Sequence, residues 1–201
     1  MISAMIISDK ATVIAVYMLA ALLHECGHFI VARVLKIHIS QVRLELSGVR
    51  IVTDTSLTSY NDEILLASAG PAANLISIIV CICISFIDRV PLVELLYEAE
   101  RFMESGVASR EGIIGFLMLS STMHAAVNLL PVKSFDGGRI ICCILCRRFG
   151  VDVADRALEI TTLICALFLW TVALYLMLMI SSGLGVFVFA SCIFAICLQK
   201  E

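Results

Sequence analysis

The sequence of residues 11–35 is ATVIAVYMLAALLHECGHFIVARVL, and this stretch decides the fold class. A membrane-spanning helix needs about 20 predominantly apolar residues, and the run is long enough. His24, Glu25 and His28 lie inside it. An ionisable side chain costs about 2.5–3.5 kcal/mol or more at the bilayer centre, so such residues are functional candidates. A cleaved signal peptide should not carry them, and we therefore predict a retained first span.

The composition of the whole chain indicates that it lies in a membrane. Of its 201 residues, 61% are hydrophobic and 15% are charged, and the mean hydropathy is +1.03. Soluble domains are about 45–50% apolar and 25% charged, and a small domain cannot hide such an excess. The net charge of -3 offers no basic patch for a nucleic acid. We predict an all-α polytopic membrane protein with about five to six transmembrane segments in a lipid bilayer.

The other apolar runs predict the remaining spans. Beyond the first run, we expect helices over residues 62–87, 112–130, 153–180 and 184–198. Pro131 breaks the helix over residues 112–130, and a further helical stretch then continues to residue 149. We interpret these two helices as one discontinuous span, because irregular backbone inside a membrane is tolerated only where protein encloses it.

Two shorter segments are predicted between the spans. Residues 42–46 and 49–53 alternate apolar and polar side chains around Ser47-Gly48, which predicts a small membrane-associated β-hairpin within about residues 37–54. Residues 88–106 have apolar side chains at helical spacing, which predicts an interfacial amphipathic helix ending at Gly106. We expect a single transmembrane domain over residues 1–201, with no PDZ-like or soluble C-terminal domain.

The distribution of basic residues predicts the orientation of a multi-pass protein in the cell membrane. With an external N-terminus, the cytosolic segments hold eight basic residues: Arg33, Lys36, Arg43, Arg50, Arg147, Arg148, Arg156 and Lys200. The external segments then hold four: Lys10, Arg89, Arg101 and Arg110. We therefore expect the hairpin and the C-terminus to be cytosolic.

The segment His24-Glu25-Cys26-Gly27-His28 has the pattern H-E-x-x-H on a predicted helix. Histidines four residues apart lie on the same face of a helix, so both can bind one metal ion. Glu25 directly follows the first histidine, where it can act as general base toward a metal-bound water. The pattern predicts a hydrolytic site with one Zn²⁺ per chain, bound by His24 and His28.

A hydrolytic zinc site needs a third protein ligand and one open position for water. Asp136 lies in the break of the discontinuous span, and Gly137 and Gly138 beside it allow close backbone approach. The other acidic candidates fall at the ends of predicted spans: Glu63, Glu111 and Glu159. We favour Asp136 as the third metal ligand; the alternative is that it caps the following helix.

Asn128 precedes the same break and is the candidate substrate-binding residue. Its amide can both donate and accept hydrogen bonds, which suits a substrate backbone or a developing oxyanion. The alternative is that Asn128 caps the carbonyl groups at the end of its helix. His124 lies one turn earlier, and a core histidine is the more economical interpretation of it.

Two further motifs have structural interpretations. Gly70-Pro71-Ala72-Ala73-Asn74 interrupts the second span, and we interpret it as a kink with a close-packing surface. A direct part in a site is the alternative for this motif. Cys142, Cys143 and Cys146 lie in an apolar helical stretch without a second cysteine pair nearby, so we interpret them as small apolar residues rather than a metal site.

These motifs resemble the site-2 protease family of intramembrane zinc metalloproteases. The matching segments are His24-Glu25-Cys26-Gly27-His28, Gly70-Pro71-Ala72-Ala73-Asn74 and the N-x-x-P-x-x-x-x-D-G run over residues 128–137. The pattern is most similar to the compact sporulation-type branch, which cleaves a membrane-associated sigma-factor precursor. The roles that the resemblance implies are zinc binding by His24, His28 and Asp136, general-base catalysis by Glu25, and substrate positioning by Asn128.

The sequence departs from the family pattern at two places near these motifs. Cys26 stands where the family usually has leucine, which leaves the metal ligands unchanged. Ser47-Gly48 stands where the hairpin usually has paired glycines. We expect an intramembrane zinc metalloendopeptidase acting on a membrane protein substrate, such as a sigma-factor precursor or an anti-sigma factor. The alternatives are a membrane metal transporter and an inactive pseudoprotease that binds membrane proteins.

Overall fold

The structure, a computed structural model, describes residues 2–37, 39–45, 48–53 and 59–179. In chain order its elements are α1 (Ile2–Val34), β1 (Ile39–Glu45), β2 (Gly48–Thr53), α2 (Tyr60–Asp88), α3 (Leu92–Ser105), α4 (Arg110–Asn128), α5 (Asp136–Phe149) and α6 (Val151–Met179). The predominantly helical architecture expected from the sequence is confirmed. The helix predicted over residues 184–198 and the C-terminus lie outside the described residues.

Three of the described helical segments are long and apolar enough to cross a membrane. They are Ala11–Val34, Tyr60–Asp88 and Val151–Tyr175. Large apolar side chains on these segments are exposed, as at Phe86 with 85% of its surface accessible, which fits a lipid environment. Helices α4, with 19 residues, and α5, with 14, lie on the two sides of Pro131, where the break was predicted. The count of five to six spans stays a prediction.

The chain divides into two compact units. One contains Met1–Thr58 and Leu65–Asn128, and the other contains Ser59–Ile64 and Leu129–Glu201. Pro71 lies inside α2, and the helix continues on both sides of it. The expectation that the Gly70–Asn74 motif interrupts this span is therefore wrong, although a proline inside a helix still removes one backbone hydrogen bond.

The core of the first unit is formed by α1, α3 and α4. Val16 of α1 packs with Phe102 of α3 and Phe116 of α4, and the two phenylalanine rings meet edge to face with centroids 5.7 Å apart. Gly115 permits this contact, because a Cβ at this position would overlap the backbone carbonyl of Leu95. The packing therefore holds α3 against α4 in the same unit as α1.

Helix α3 follows the amphipathic pattern expected for residues 88–106. Leu95, Ala99 and Phe102 are buried along one face. Gly106 ends the helix in the left-handed conformation, with φ of 72°, and its N–H donates to the carbonyl of Phe102 over 2.8 Å. Glycine reaches this conformation without the steric cost that other residues incur.

Strands β1 and β2 pair antiparallel, and β2 lies against α1. Gly48 belongs to β2, where it pairs with Glu45, so the expectation that it forms half of the turn is wrong by one position. Pairing of residues 45 and 48 leaves two residues between them, and both lie outside the described part of the chain. The register of a hairpin depends on the cross-strand pairs, which the alternation of side chains alone does not specify.

The second unit contains α5 and α6, which pack together, with the first residues of α2. Within the break, the N–H of Phe135 donates to the carbonyl of Val132 over 2.9 Å. The N–H of Lys133 donates to Oγ1 of Thr162 on α6, also over 2.9 Å. These bonds satisfy backbone groups that would otherwise be unpaired at a helix break, so the irregular segment is anchored to α6.

Candidate active site

His24 and His28 lie one turn apart on α1, and their side chains converge. Both are buried, and only 2% of the surface of His24 is accessible. Their Nε2 atoms are 3.2 Å apart, and the ring planes meet at 77°. The spacing of four residues produces this convergence, because such side chains project from the same face of a helix. The face that they share is turned toward α2.

Each histidine has a hydrogen-bond partner on α2 at its other ring nitrogen. Nδ1 of His28 lies 2.8 Å from the carbonyl oxygen of Leu66, and Nδ1 of His24 lies 3.2 Å from Nδ2 of Asn74. A carbonyl oxygen only accepts, so Nδ1 of His28 carries a proton, which in the neutral imidazole leaves the lone pair on Nε2. The bond between His24 and Asn74 involves a side-chain amide, which donates through Nδ2 and accepts through Oδ1.

Two glycines allow α1 and α2 to approach closely here. A Cβ at Gly27 would overlap the carbonyl oxygen of Ala69, and a Cβ at Gly70 would overlap Nε2 of both His24 and His28. A side chain at position 70 would therefore collide with both imidazoles, so glycine is required for this approach of the two helices.

Two more polar residues lie beside this pair. Asn74 is completely buried on α2, one turn after Gly70. The ring of His124, on α4, contacts the ring of His24 edge-on with centroids 5.1 Å apart. The ring of His124 also meets that of Tyr17 edge-on, with centroids 6.1 Å apart. Three histidines from α1 and α4 and one asparagine from α2 are thus gathered in the first unit.

Glu25 and Cys26 follow His24 along α1. Glu25 is half-buried, whereas Cys26 is exposed. Successive residues of a helix point about 100° apart, so Glu25 leaves the helix beside the face that carries the histidines. Cys26 is about 200° round the helix from His24, so it points away from the face that carries the histidines.

Asp136 lies in the second unit, at the first position of α5. Its carboxylate is buried, with 8% of its surface accessible. The N-cap of α5 is Phe135. The alternative interpretation, in which Asp136 caps this helix, is therefore wrong. A carboxylate in the first turn is still favoured by the helix dipole. A Cβ at Gly137 would overlap the carbonyl of Leu129, and one at Gly138 that of Val132, so both glycines allow the tight return of the chain.

Asn128 is the last residue of α4, and its Nδ2 donates to the carbonyl of His124 over 3.0 Å. This bond caps the end of α4, which was the alternative interpretation of Asn128. One amide hydrogen and the side-chain carbonyl take no part in it, so a contact with substrate is compatible with the observed bond.

The cysteines of α5 contact each other and the first turn of α2. Sγ of Cys142 and Sγ of Cys146 are 3.8 Å apart, whereas the thiol of Cys143 donates to Oε2 of Glu63 over 3.1 Å. This bond engages one of the acidic residues considered as a third ligand. Among the described residues all the cysteines are free thiols.

Gly70 and Asn74 are the site residues that sequence reasoning did not assign to a site. Their signal was present, since a glycine and an asparagine four residues apart lie on one face of α2. His124 is also closer to the candidate site than expected. Its proximity to His24 depends on the packing of α4 against α1, which no local pattern encodes.

Comparison with known proteins bears on the family and the fold of the chain. The model of peptidase family M50 matches residues 11–172. The fold is similar to that of the Site-2 Protease from Methanocaldococcus jannaschii, with a TM-score of 0.56 and 23% sequence identity, covering 93% of this chain and 79% of that one. Among curated proteins, no sequence matches the chain significantly.

The family match covers most of the chain, including the H-E-x-x-H segment and the N-x-x-P-x-x-x-x-D-G run. Its extent agrees with the apolar helices and with the resemblance that the motifs indicate. The chain therefore belongs to peptidase family M50, a family of membrane metalloproteases.

Proposed function

We propose that this protein is an intramembrane zinc metalloendopeptidase that hydrolyses a peptide bond in or near the membrane segment of a membrane protein. The observation that carries the proposal is the pair of buried imidazoles with their Nε2 atoms 3.2 Å apart on a helix apolar enough to cross a membrane. Two nitrogens bound tetrahedrally to one zinc ion at about 2.0–2.1 Å lie roughly 3.3–3.4 Å from each other. The separation of His24 and His28 fits that requirement.

Asp136 is the proposed third ligand. Its carboxylate would complete a set of two imidazoles and one carboxylate, and this donor set is typical of hydrolytic zinc sites. Each of the three side chains is buried. The position of Asp136 beside two glycines at a break in the helices supports the role, because polar backbone at membrane depth occurs where protein encloses a cavity. Three protein ligands would leave one coordination position for water.

Each residue of the site has a separate role in the proposed reaction. When bound, the zinc ion lowers the pKa of a coordinated water to about 7 and polarises the scissile carbonyl. Glu25 takes the proton of the attacking water and delivers it to the leaving amine. Asn128 positions the substrate through the amide hydrogen and the side-chain oxygen that take no part in its bond to the carbonyl of His124. The burial of both histidines limits access of bulk water.

The substrate enters as a locally unwound segment, since a helix hides its peptide bonds in its own hydrogen bonds. The hairpin of β1 and β2 offers a strand edge to which such a segment can add. Arg33 lies nine residues after His24, which corresponds to about 13 Å of helix, so the site lies below the cytosolic surface in the proposed orientation. A sigma-factor precursor or an anti-sigma factor is the proposed class of substrate.

The test combines metal analysis with a cleavage assay. The full-length protein is purified in detergent and its zinc content is measured, beside His24→Ala, His28→Ala and the control Cys26→Ala. Each is also co-expressed with a panel of single-span membrane proteins tagged at both ends. We expect about one zinc per chain and cleavage within the membrane segment for the wild type and for Cys26→Ala, and loss of both in the histidine variants.

Two results would contradict the proposal and identify its rivals. A protein that retains zinc but cleaves no member of the panel would be a pseudoprotease. A protein that holds no zinc after purification, but moves zinc into sealed vesicles, would be a transporter.

A further inference from the structure

The side-chain amide of Asn74 has one hydrogen bond, and it is to a proposed zinc ligand. Asn74 is completely buried, with Nδ2 3.2 Å from Nδ1 of His24. Oδ1 of the same amide is buried and, among the residues that the structure describes, has no hydrogen-bond partner. A buried amide is expected to be satisfied at both ends, so an unpaired oxygen beside a candidate metal site requires an explanation.

The chemistry of a metal-bound histidine explains the unpaired amide oxygen of Asn74. A neutral imidazole that binds a metal through Nε2 carries its proton on Nδ1, and this N–H is held by an acceptor in most metal sites. His28 already meets the requirement, since its Nδ1 donates to the carbonyl of Leu66. His24 needs an acceptor at the position of the Asn74 amide.

The amide of Asn74 can become that acceptor. A half-turn about its last side-chain bond exchanges Nδ2 and Oδ1, which are nearly equal in size. No second hydrogen bond of the described structure holds the amide in its present orientation, because Oδ1 is unpaired. After the half-turn, Oδ1 accepts from Nδ1 of His24 and leaves Nε2 of His24 to face the space in front of Gly70.

We propose that Asn74 is a positioning residue that sets the proton position of His24 and orients its ring for zinc binding. This inference rests on the proposed zinc site. It gives the two histidines equivalent supports on α2, a backbone carbonyl for His28 and a side-chain carbonyl for His24. The residue acts through His24 and touches neither the substrate nor the ion.

The test compares zinc affinity among variants of the full-length purified protein, by competition with a chromophoric chelator. Asn74→Leu keeps the approximate size of the side chain and removes the acceptor. Asn74→Asp restores an acceptor at the same place, as in the carboxylate–histidine–zinc arrangement. Ser77→Ala is the control, because Ser77 lies three residues further along α2 and bonds Ser121 rather than a histidine.

Loss of an outer-shell partner of this kind weakens metal binding by about 10- to 100-fold. We expect that loss for Asn74→Leu, and affinity within about threefold of the wild type for Asn74→Asp and Ser77→Ala. Equal affinity of Asn74→Leu and wild type, or equal weakening by Asn74→Leu and Asn74→Asp, would overturn the inference and leave Asn74 as a packing residue. A wild-type protein that binds no zinc would instead overturn the proposed function on which the inference rests.

Discussion

The ring of His28 is fixed by the backbone of another helix, because its Nδ1 donates to the carbonyl of Leu66 over 2.8 Å. The bond directs Nε2 of His28 toward Nε2 of His24, 3.2 Å away. Gly70, one turn after Leu66 on the same helix, faces both nitrogens without side-chain atoms. Helix α2 therefore orients the imidazole of His28, and its glycine leaves room in front of the two Nε2 atoms.

Gly70→Ala tests whether that room is occupied by a metal. The added methyl would overlap both Nε2 atoms, so either the ion or one imidazole has to move. We expect zinc content below a tenth of the wild-type value in the purified variant, measured by elemental analysis. Ala72→Ser, on the exposed side of α2, is the matched control and should retain zinc.

Retention of stoichiometric zinc by Gly70→Ala would show that the ion does not lie in front of Gly70. The two histidines would then be a buried hydrogen-bonded pair rather than two ligands of one ion.

Substitution of Asp136 tests whether this residue is a metal ligand or only stabilises the start of α5. Asp136→Asn keeps the size of the side chain but removes the negative charge that, in the proposed site, would offset the charge of the ion. We expect this variant to lose zinc to a chelator at least tenfold more readily than wild type, since the anionic donor is lost. Asn128→Ala should retain zinc, because Asn128 is proposed to contact substrate alone. Equal retention by the two variants would leave the third ligand unidentified.

Much of this arrangement could be predicted from sequence, because it depends on local periodicity. The convergence of His24 and His28 follows from their spacing on one helix, and the break before Asp136 follows from Pro131. The contacts of Gly70, Asn74 and His124 could not be predicted, since they depend on which helix faces which. The position of Gly48 in the strand was missed for the same reason, because strand register is set by pairing across the hairpin.

The packing of α3 against α4 predicts an asymmetry between two phenylalanines. Phe102 is almost fully buried and meets Phe116, whereas Phe86 is 85% exposed on α2. Phe102→Ala should lower the free energy of unfolding by about 3 kcal/mol, because it leaves a cavity in the core of the first unit. Phe86→Ala should change it by less than about 0.5 kcal/mol. Denaturant titration of both variants in the same detergent measures the difference; equal losses would contradict the core described for this unit.

The orientation in the membrane is predicted from eight basic residues in the cytosolic segments against four in the external ones. A reporter active only in the cytosol should be active when fused after residue 198 and inactive when fused after Arg89, in the turn that follows α2. A second reporter, active only outside, should give the reverse pattern. Reversal of both signals would place the active site nearer the opposite face of the membrane.

Glu25→Gln tests the central claim most directly, because it separates hydrolysis from metal binding. The amide keeps the size of the side chain but cannot take a proton from water, and His24 and His28 are unchanged. General-base catalysis is typically worth about 10²- to 10⁴-fold in rate. Cleavage of a co-expressed single-span substrate is measured by fragment size, with zinc content determined on the same purified protein. We expect unchanged zinc content, cleavage reduced at least 100-fold and uncut substrate that co-purifies with the variant. Cleavage by Glu25→Gln at the wild-type rate would contradict the proposed mechanism.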